Sequence, residues 1–269
     1  MAADFTFKDN YNCDDLIEIV RILRAPGGCP WDAEQTHESI KKNFIEETYE
    51  VVEAINKKEP AMLREELGDV LLQIALHTEM EEETGSFTFD DVCDEVCKKL
   101  IVRHPHVFGD VKVNSTDDVL TNWDAIKMQT KNQKSTSESM ASVPRELPAL
   151  MRSQKIQKKA AKVGFDWDDI SGAIAKVHEE TAEVEQAIAS GSKDEMTDEI
   201  GDLFFAAVNV SRFAGVDAEE ALTGATDKFY NRFVLVEKMA SERGIDMKTA
   251  GIEVLDSLWD EAKMILKNK

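Results

Sequence analysis

The sequence has few cysteines and few basic residues for its length. Four cysteines occur among 269 residues, and their spacing matches no disulfide framework. This argues against a disulfide-stabilised extracellular scaffold and predicts a reducing, cytoplasmic location. Lysine and arginine total 32 against 53 aspartates and glutamates, which gives a formal net charge of −21. Such an acidic chain is not expected to bind nucleic acid or an anionic membrane, because both require basic surfaces.

Long apolar runs and phosphate-binding loops are also missing. The longest apolar run lies around Leu203–Val208, which is too short to span a bilayer. The first ten residues carry acids and lack the basic and apolar regions of a secretory signal. Neither a G-x-x-x-x-G-K-S/T loop nor a dinucleotide fingerprint occurs. A chain this acidic could therefore bind a polyphosphate only through cations or a local basic cluster.

Amphipathic helical patterns account for most of the chain. Apolar residues recur at helical spacing, and no convincing strand alternation appears. The predicted fold class is all-α, with helices over 14–24, 37–57, 60–85, 90–103, 116–131, 145–162, 170–189, 194–213, 218–243 and 252–267.

The two halves of the chain are related in sequence. A gapless alignment that places Glu46 opposite Glu179 gives ten identities. In the first copy they are Glu46, Glu47, Thr48, Glu50, Val51, Ala54, Ile55, Glu66, Gly68 and Asp69. In the second copy they are Glu179, Glu180, Thr181, Glu183, Val184, Ala187, Ile188, Glu199, Gly201 and Asp202. Small shifts extend the repeat to Trp31-Asp32, Lys99, Arg103, Trp123 and Lys127, which recur as Trp167-Asp168, Lys228, Arg232, Trp259 and Lys263. The polar segment between the copies ends in two prolines, which is typical of a linker. We therefore predict tandem helical-bundle domains over 1–131 and 149–269, joined by a linker over 132–148.

Each copy carries E-E-x-x-E on one predicted helix and E-x-G-D on the next. In the second copy Glu180 and Glu183 lie one turn apart, and so do Glu199 and Asp202. If the two helices pack antiparallel, the four carboxylates converge and repel one another unless cations lie among them. Oxygen ligands of this kind suit Mg²⁺, with Mn²⁺ as the alternative.

A solvated helix face is the ordinary interpretation of a single E-E-x-x-E motif in an acidic chain. Two features favour a metal site instead. The acids recur in both copies while many surrounding surface positions differ. The second acid pair also flanks a mid-helix glycine, Gly68 or Gly201, which costs about 1 kcal/mol relative to alanine.

Basic and aromatic residues of the second copy could complete a phosphate site. Lys228 and Arg232 lie one turn apart and could neutralise phosphates, and Trp259 could offer an apolar face to a base or ribose. A helix-surface pair and a core tryptophan are the structural alternatives.

Over essentially its whole length the sequence resembles the two-repeat bacterial MazG proteins of the all-α NTP pyrophosphatase superfamily. The resemblance is carried by GGCPWDAEQTHESI, EETYE with EELGD, RHPHVFGD, PALMRSQKIQKKAAKVGFDW, EETAE with DEIGD, and KFYNRF. It implies a homodimeric, Mg²⁺-dependent enzyme that hydrolyses nucleoside triphosphates of any base to monophosphate and pyrophosphate. Such an activity would clear unwanted nucleotides from the pool.

The resemblance also implies residue roles in the C-terminal copy, which would carry the activity. The implied metal ligands are Glu180, Glu183, Glu199 and Asp202, and the implied nucleotide-binding residues are Lys176, Glu179, Lys228, Arg232 and Trp259. Glu179, Glu180 and Glu183 would be catalytic, with Glu179 expected to orient or deprotonate the attacking water. Two positions depart from the pattern: Asn43 stands in the first copy where Lys176 stands in the second, and Glu195 stands where family members often have lysine.

Two other functions remain open at this point. The first is a narrow-specificity relative such as a dUTPase or dCTPase, which a substrate panel would reveal. The second is a non-catalytic helical adaptor or regulatory protein in which the acids hold a structural metal. Metal-dependent turnover would exclude the second function.

Overall fold

A computed structural model describes residues 5–113, 115–116, 118–119, 122–123, 126 and 135–267. Within these residues all regular structure is helical and no strand occurs, which confirms the all-α prediction. No helix in these ranges is both long and apolar enough to cross a membrane. Most of the helix predicted over 116–131, including Lys127, lies outside the described residues. The chain divides into two compact units, Met1–Lys127 and Met128–Lys269.

Six helices occur in the described part of the first unit. They are α1 (Cys13–Arg24), α2 (Pro30–Glu34), α3 (His37–Lys57), α4 (Pro60–Thr84), α5 (Phe89–Arg103) and α6 (Pro105–Phe108). A capping box of Thr36 and Ser39 begins α3, and only Lys58 and Glu59 separate α3 from α4. The two helices therefore pack as an antiparallel pair. The buried core of this unit consists of Val20, Ile40, Ala75, Leu76 and Met80.

The second unit repeats this plan. Its described helices are α7 (Thr136–Ala141), α8 (Ala149–Ala161), α9 (Ile170–Ser190), α10 (Lys193–Phe213), α11 (Ala218–Glu242) and α12 (Ile252–Lys267). Gly191 ends α9 with φ of 75°, and Ser192 caps α10 by accepting a hydrogen bond from the Glu195 amide. Because the turn has only these two residues, α9 and α10 form an antiparallel pair. A separate apolar cluster around Val236 and Leu258 joins α11 to α12.

The segment predicted as a linker contains a helix. Helix α7 lies within 132–148 and packs on α8, and both Ser139 and Val143 are buried. Helix α8 begins at Ala149, four residues later than predicted. Proline disfavours helical backbone in the residue before it, so Leu147 cannot readily continue a helix into Pro148. The polar composition of this segment did not reveal its packing.

Several large apolar side chains of the second unit are exposed on α9, α10 and α11. More than half of the surface of each of the following is accessible: Ile188, Phe204, Leu222, Phe229 and Tyr230. Where exposed apolar side chains form one contiguous patch, they mark an interaction site.

Candidate metal and nucleotide site

Carboxylates of the second unit converge between α9 and α10. Glu180 on α9 and Glu199 and Asp202 on α10 each place one ligand oxygen within 4.8 Å of the others. We call these three residues the second-unit cluster. Glu180 is 3% exposed, Glu199 is half-buried and Asp202 is exposed. The cluster therefore runs from the interior to the surface, where a ligand can reach it.

One carboxylate oxygen in this cluster lacks a partner. Glu180 Oε1 lies 2.5 Å from Lys176 Nζ, whereas Glu180 Oε2 is buried without any hydrogen bond. Leaving a buried charged oxygen unpaired costs more than leaving a neutral one unpaired. A divalent cation coordinated by Oε2 would remove that cost. The set of oxygen donors thus fits Mg²⁺ or Mn²⁺.

Glu183 lies one turn beyond Glu180 and interacts with it directly. A hydrogen bond to Glu180 raises the pKa of the Glu183 carboxyl, and burial and the charges of Glu180 and Glu199 raise it further. The carboxylates of Glu180, Glu183 and Glu199 are therefore crowded, and a cation among them would relieve their repulsion. Of the four predicted metal ligands, three form the second-unit cluster and Glu183 adjoins it. Its role as a fourth ligand remains a prediction.

Lys176 supplies the positive charge nearest to the second-unit cluster. Its ammonium pairs with Glu180 at 2.5 Å and with Glu179 at 2.9 Å, and hydrogen bonds to these two acids raise the pKa of Lys176. The Glu179 side chain is 59% exposed. Both residues therefore lie at the open edge of the cluster, on the solvent side of Glu180.

Glu195, the residue that departs from the family pattern, takes no part in this arrangement. Its carboxylate accepts a hydrogen bond from the Ser190 hydroxyl at 2.7 Å, and its amide donates to the Ser192 hydroxyl that caps α10. Glu195 thus stabilises the turn between α9 and α10. Family members often have at this position a lysine that could contact a phosphate; in this chain Glu195 has a structural role instead.

The other predicted nucleotide-binding residues form a group of their own on α11 and α12. The Arg232 guanidinium carbon lies 5.5 Å from the Trp259 ring centroid, and the Phe229 ring lies 5.0 Å from it. Trp259 is half-buried against the α11–α12 apolar cluster, and Lys228 is exposed. Among the described residues, no hydrogen bond or ion pair joins this group to Glu180, Glu199 or Asp202. These residues therefore form a group with contacts of its own, and their part in nucleotide binding remains a prediction.

The first unit carries an equivalent cluster of Glu47, Glu66 and Asp69, all half-buried, with ligand oxygens within 4.8 Å of one another. We call it the first-unit cluster. Burial is the main cause that raises the pKa values of Glu47 and Glu66, and neighbouring carboxylates raise them further. Asn43 occupies the position of Lys176, so the first-unit cluster lacks that compensating ammonium.

Sequence analysis missed a pocket of about 510 Å³ in the second unit, whose lining includes Gln157, Phe165, Trp167, Phe205, Asn209 and Arg212. Its walls come from segments that are distant in sequence, so only tertiary structure brings them together. The internal repeat did contain one indication of this pocket. Extending the gapless alignment places Leu76 and Glu79 opposite Asn209 and Arg212, so the copies differ in chemistry where the pocket lies.

The fold and the two clusters define a tandem all-α protein with two candidate divalent-cation sites. A family model described as the MazG nucleotide pyrophosphohydrolase domain matches the chain twice, at residues 35–108 and 170–234. Each match spans one complete antiparallel helix pair with its acids. The chain belongs to the MazG family of nucleotide pyrophosphohydrolases, and it is therefore an enzyme of the hydrolase class.

Three relatives illustrate this similarity. A nucleoside triphosphate pyrophosphohydrolase of Escherichia coli K12 is 43% identical over 255 residues, which cover 93% of this chain and 96% of that protein. The nucleoside triphosphate pyrophosphohydrolase/pyrophosphatase MazG of Thermotoga maritima is 44% identical over 252 residues, covering 93% and 95% of the two chains. The uncharacterized protein YabN of Bacillus subtilis is 49% identical over 248 residues, which cover 91% of this chain and 50% of YabN.

Proposed function

We propose that this protein hydrolyses nucleoside triphosphates of any base to the monophosphate and pyrophosphate, and so clears unwanted nucleotides from the pool. The observation that carries the proposal is the unpartnered, buried oxygen of Glu180 within a carboxylate cluster that opens to the surface. The names of the E. coli and T. maritima relatives, which match nearly the whole chain, support the same activity.

The cofactor we propose is Mg²⁺, with Mn²⁺ as the alternative. Glu180, Glu199 and Asp202 would hold it, and Glu183, one turn beyond Glu180, would join them as the fourth ligand. When bound, the cation supplies charge neutralisation for the phosphates and a more acidic water molecule. The second-unit cluster is the proposed working site because Lys176 lies beside it, whereas the first-unit cluster has Asn43 at that position.

Each remaining residue has an assigned task. Lys176 is held at the open edge of the cluster and would turn its ammonium from Glu180 to a phosphate oxygen. Glu179 is exposed beside it and would orient or deprotonate the water that attacks the α-phosphorus. The departing pyrophosphate would then be stabilised by Lys228 and Arg232.

The location of Lys228, Arg232 and Trp259 favours a homodimer. Among the described residues these side chains make no polar contact with the second-unit cluster of their own chain, yet they carry the charge and ring that a nucleotide requires. A second copy could supply them. The exposed apolar residues of α10 and α11, such as Phe204 and Phe229, provide a surface on which a second copy could pack.

Isotope labelling tests the position of cleavage. Purified protein with Mg²⁺ and ATP, GTP, CTP or UTP in oxygen-18 water should release pyrophosphate and place the label in the monophosphate, because water attacks the α-phosphorus. Release of orthophosphate, or label in pyrophosphate, would contradict the proposal. With dUTP and dCTP added to the panel, turnover of only these two would establish the narrow-specificity alternative. Absence of metal-dependent turnover with every substrate would favour the adaptor.

A further inference from the structure

The second unit contains an aromatic pocket close to its carboxylate cluster. We define the aromatic pocket by Gln157 of α8, Phe165 and Trp167 of the loop after α8, and Phe205, Asn209 and Arg212 of α10. Its volume of about 510 Å³ lies within the range of small-molecule sites, roughly 300 to 1,000 Å³. Met140 of α7 also lines the pocket, so the helix inside the predicted linker helps to form it.

The aromatic pocket and the second-unit cluster lie on one face of α10. Asp202, Phe205, Asn209 and Arg212 follow one another at intervals of three, four and three residues, which keeps them on a single helical stripe. Phe205 is one turn beyond Asp202, and Asn209 is roughly 10 Å beyond it at the helical rise per residue. A ligand whose phosphates lie at the cluster could therefore extend along α10 into the pocket.

Three aromatic rings line this pocket. Phe165 is 83% exposed, and Trp167 and Phe205 are each less than half exposed. The glycine at position 172 explains how Trp167 is held, because a Cβ at this position would overlap the indole ring. Helix α9 thus fixes the ring close against its first turns. Rings that are fixed and partly open to solvent suit stacking on another flat ring.

The polar groups of the aromatic pocket leave one acceptor free. Gln157 is 6% exposed; its Nε2 donates to the Phe205 carbonyl at 2.8 Å, while its Oε1 is buried without a partner. Arg212 is neutralised by two hydrogen bonds to Asp166 and also donates to Asn209 Oδ1 at 2.7 Å. The pocket therefore suits an uncharged ligand with an N–H donor better than it suits a phosphate.

The first unit keeps the tryptophan of the pocket, as Trp31, but lacks the α10 groups at the equivalent positions. Leu72 and Leu76 replace Phe205 and Asn209, and Leu76 is buried in the apolar core with Val20. Glu79 replaces Arg212 and reverses its charge. Carboxylate clusters thus occur in both units, whereas the α10 side of the aromatic pocket has no counterpart in the first.

We propose that the aromatic pocket binds the base of the nucleotide whose triphosphate lies at the second-unit cluster, an inference that rests on the proposed function. The base stacks on Phe165 and Trp167 and donates an N–H to Gln157 Oε1. Adenine, guanine and cytosine each carry an exocyclic amino group, and uracil has a ring N–H, so one acceptor serves them all. This explains broad base tolerance together with a single working unit. The predicted contact with Trp259 is then made by the sugar.

Kinetics of two variants test this assignment. Phe165→Ala and Gln157→Leu should raise KM for every triphosphate, for Phe165→Ala by roughly 5- to 100-fold, the range produced by loss of one base–aromatic contact. Inhibition by inorganic tripolyphosphate, which has no base, should stay as in the wild type. Gln73→Leu is the matched control, because Gln73 is also a buried glutamine with an unpartnered Oε1 but lies in the first unit. An unchanged KM in both variants, or equal weakening of tripolyphosphate inhibition, would overturn the proposal.

A binding measurement separates this proposal from the proposed function. In protein labelled with 5-fluorotryptophan, the Trp167 fluorine signal is assigned from the spectrum of Trp167→Phe. Titration with adenosine, without metal, should shift this signal more than those of the other tryptophans. Hydrolysis of ATP without any response of Trp167 would overturn the pocket assignment and leave the proposed function standing. A response of Trp167 without hydrolysis of any triphosphate would support the pocket and refute the proposed function.

Discussion

Replacing Glu180 by glutamine is expected to lower turnover by roughly a thousandfold, since a catalytic cation supplies several kcal/mol of transition-state stabilisation and each 1.36 kcal/mol changes a rate tenfold. Glutamine keeps the shape of the side chain but removes the charge. Glu180 is the most buried member of the second-unit cluster and holds its unpartnered oxygen. Initial rates of pyrophosphate release measure the effect, and circular dichroism checks that the helices are intact.

Two control variants are needed to interpret the effect of Glu180→Gln. Glu185→Gln makes the same chemical change at an exposed position of α9, outside the cluster, and should leave turnover unchanged. Glu47→Gln makes it at the equivalent position of the first unit and should retain most of the turnover, since the second unit is the proposed working unit. Equal losses in Glu47→Gln and Glu180→Gln would show that both units take part. Full turnover in Glu180→Gln would refute the proposed metal site.

Divalent cations are expected to stabilise the second unit strongly against heat. When the free cation concentration is a hundred times the Kd of one site, binding adds about 2.7 kcal/mol to the free energy of unfolding. For a unit of this size, that corresponds to a rise in Tm of roughly 5 to 10 °C. Without a cation, the hydrogen bond to Glu180, burial, and the charges of Glu180 and Glu199 raise the pKa of Glu183. A bound cation would relieve the repulsion among these three carboxylates. Calorimetry with Mg²⁺, and again after addition of EDTA, measures the shift.

The Glu180→Gln variant distinguishes binding at the cluster from a general effect of ions. It removes the buried carboxylate and should lose most of the stabilisation by Mg²⁺. Added NaCl at matched ionic strength serves as the control for screening of the acidic surface. If Glu180→Gln kept the full rise in Tm, the cation would be acting elsewhere.

Periodicity and composition were enough to predict the long helices. Helix α3 begins and ends at the predicted residues, and α9, α10, α11 and α12 lie within one residue of the prediction, because strong amphipathic patterns and caps such as Ser192 act locally. The short helices α2, α6 and α7 were not predicted. Their few turns have little intrinsic stability, and contacts with the rest of the fold, such as burial of Ser139 in α7, decide whether they form.

The positions of the carboxylates and their convergence could be predicted from the repeat, but the partners of each oxygen could not. Spacing predicted that Glu199 and Asp202 share a face of α10, and the two-residue turn at Gly191 brings that face to Glu180. The unpartnered state of Glu180 Oε2 depends on burial by several helices, so no local pattern reveals it. The same holds for the aromatic pocket, whose residues 140 to 212 meet only in the folded unit.

The repeat also suggests how one unit could become the working one. Both units retain three converging acids, so the capacity to hold a cation is shared. Lys176 stands where the first unit has Asn43 and adds a phosphate partner. Asn209 stands where the first unit has Leu76 and lines the aromatic pocket. The substrate site thus depends on what surrounds the acids more than on the acids themselves.

Anomalous diffraction from crystals grown with Mn²⁺ and a non-hydrolysable triphosphate analogue tests the central claim most directly. The predicted result is an anomalous peak about 2.1 Å from oxygens of Glu180, Glu199 and Asp202, with phosphate oxygens of the analogue in contact with the same ion. Carboxylates that point apart into solvent, with Mn²⁺ absent from this site or bound only at Glu47, Glu66 and Asp69, would contradict it.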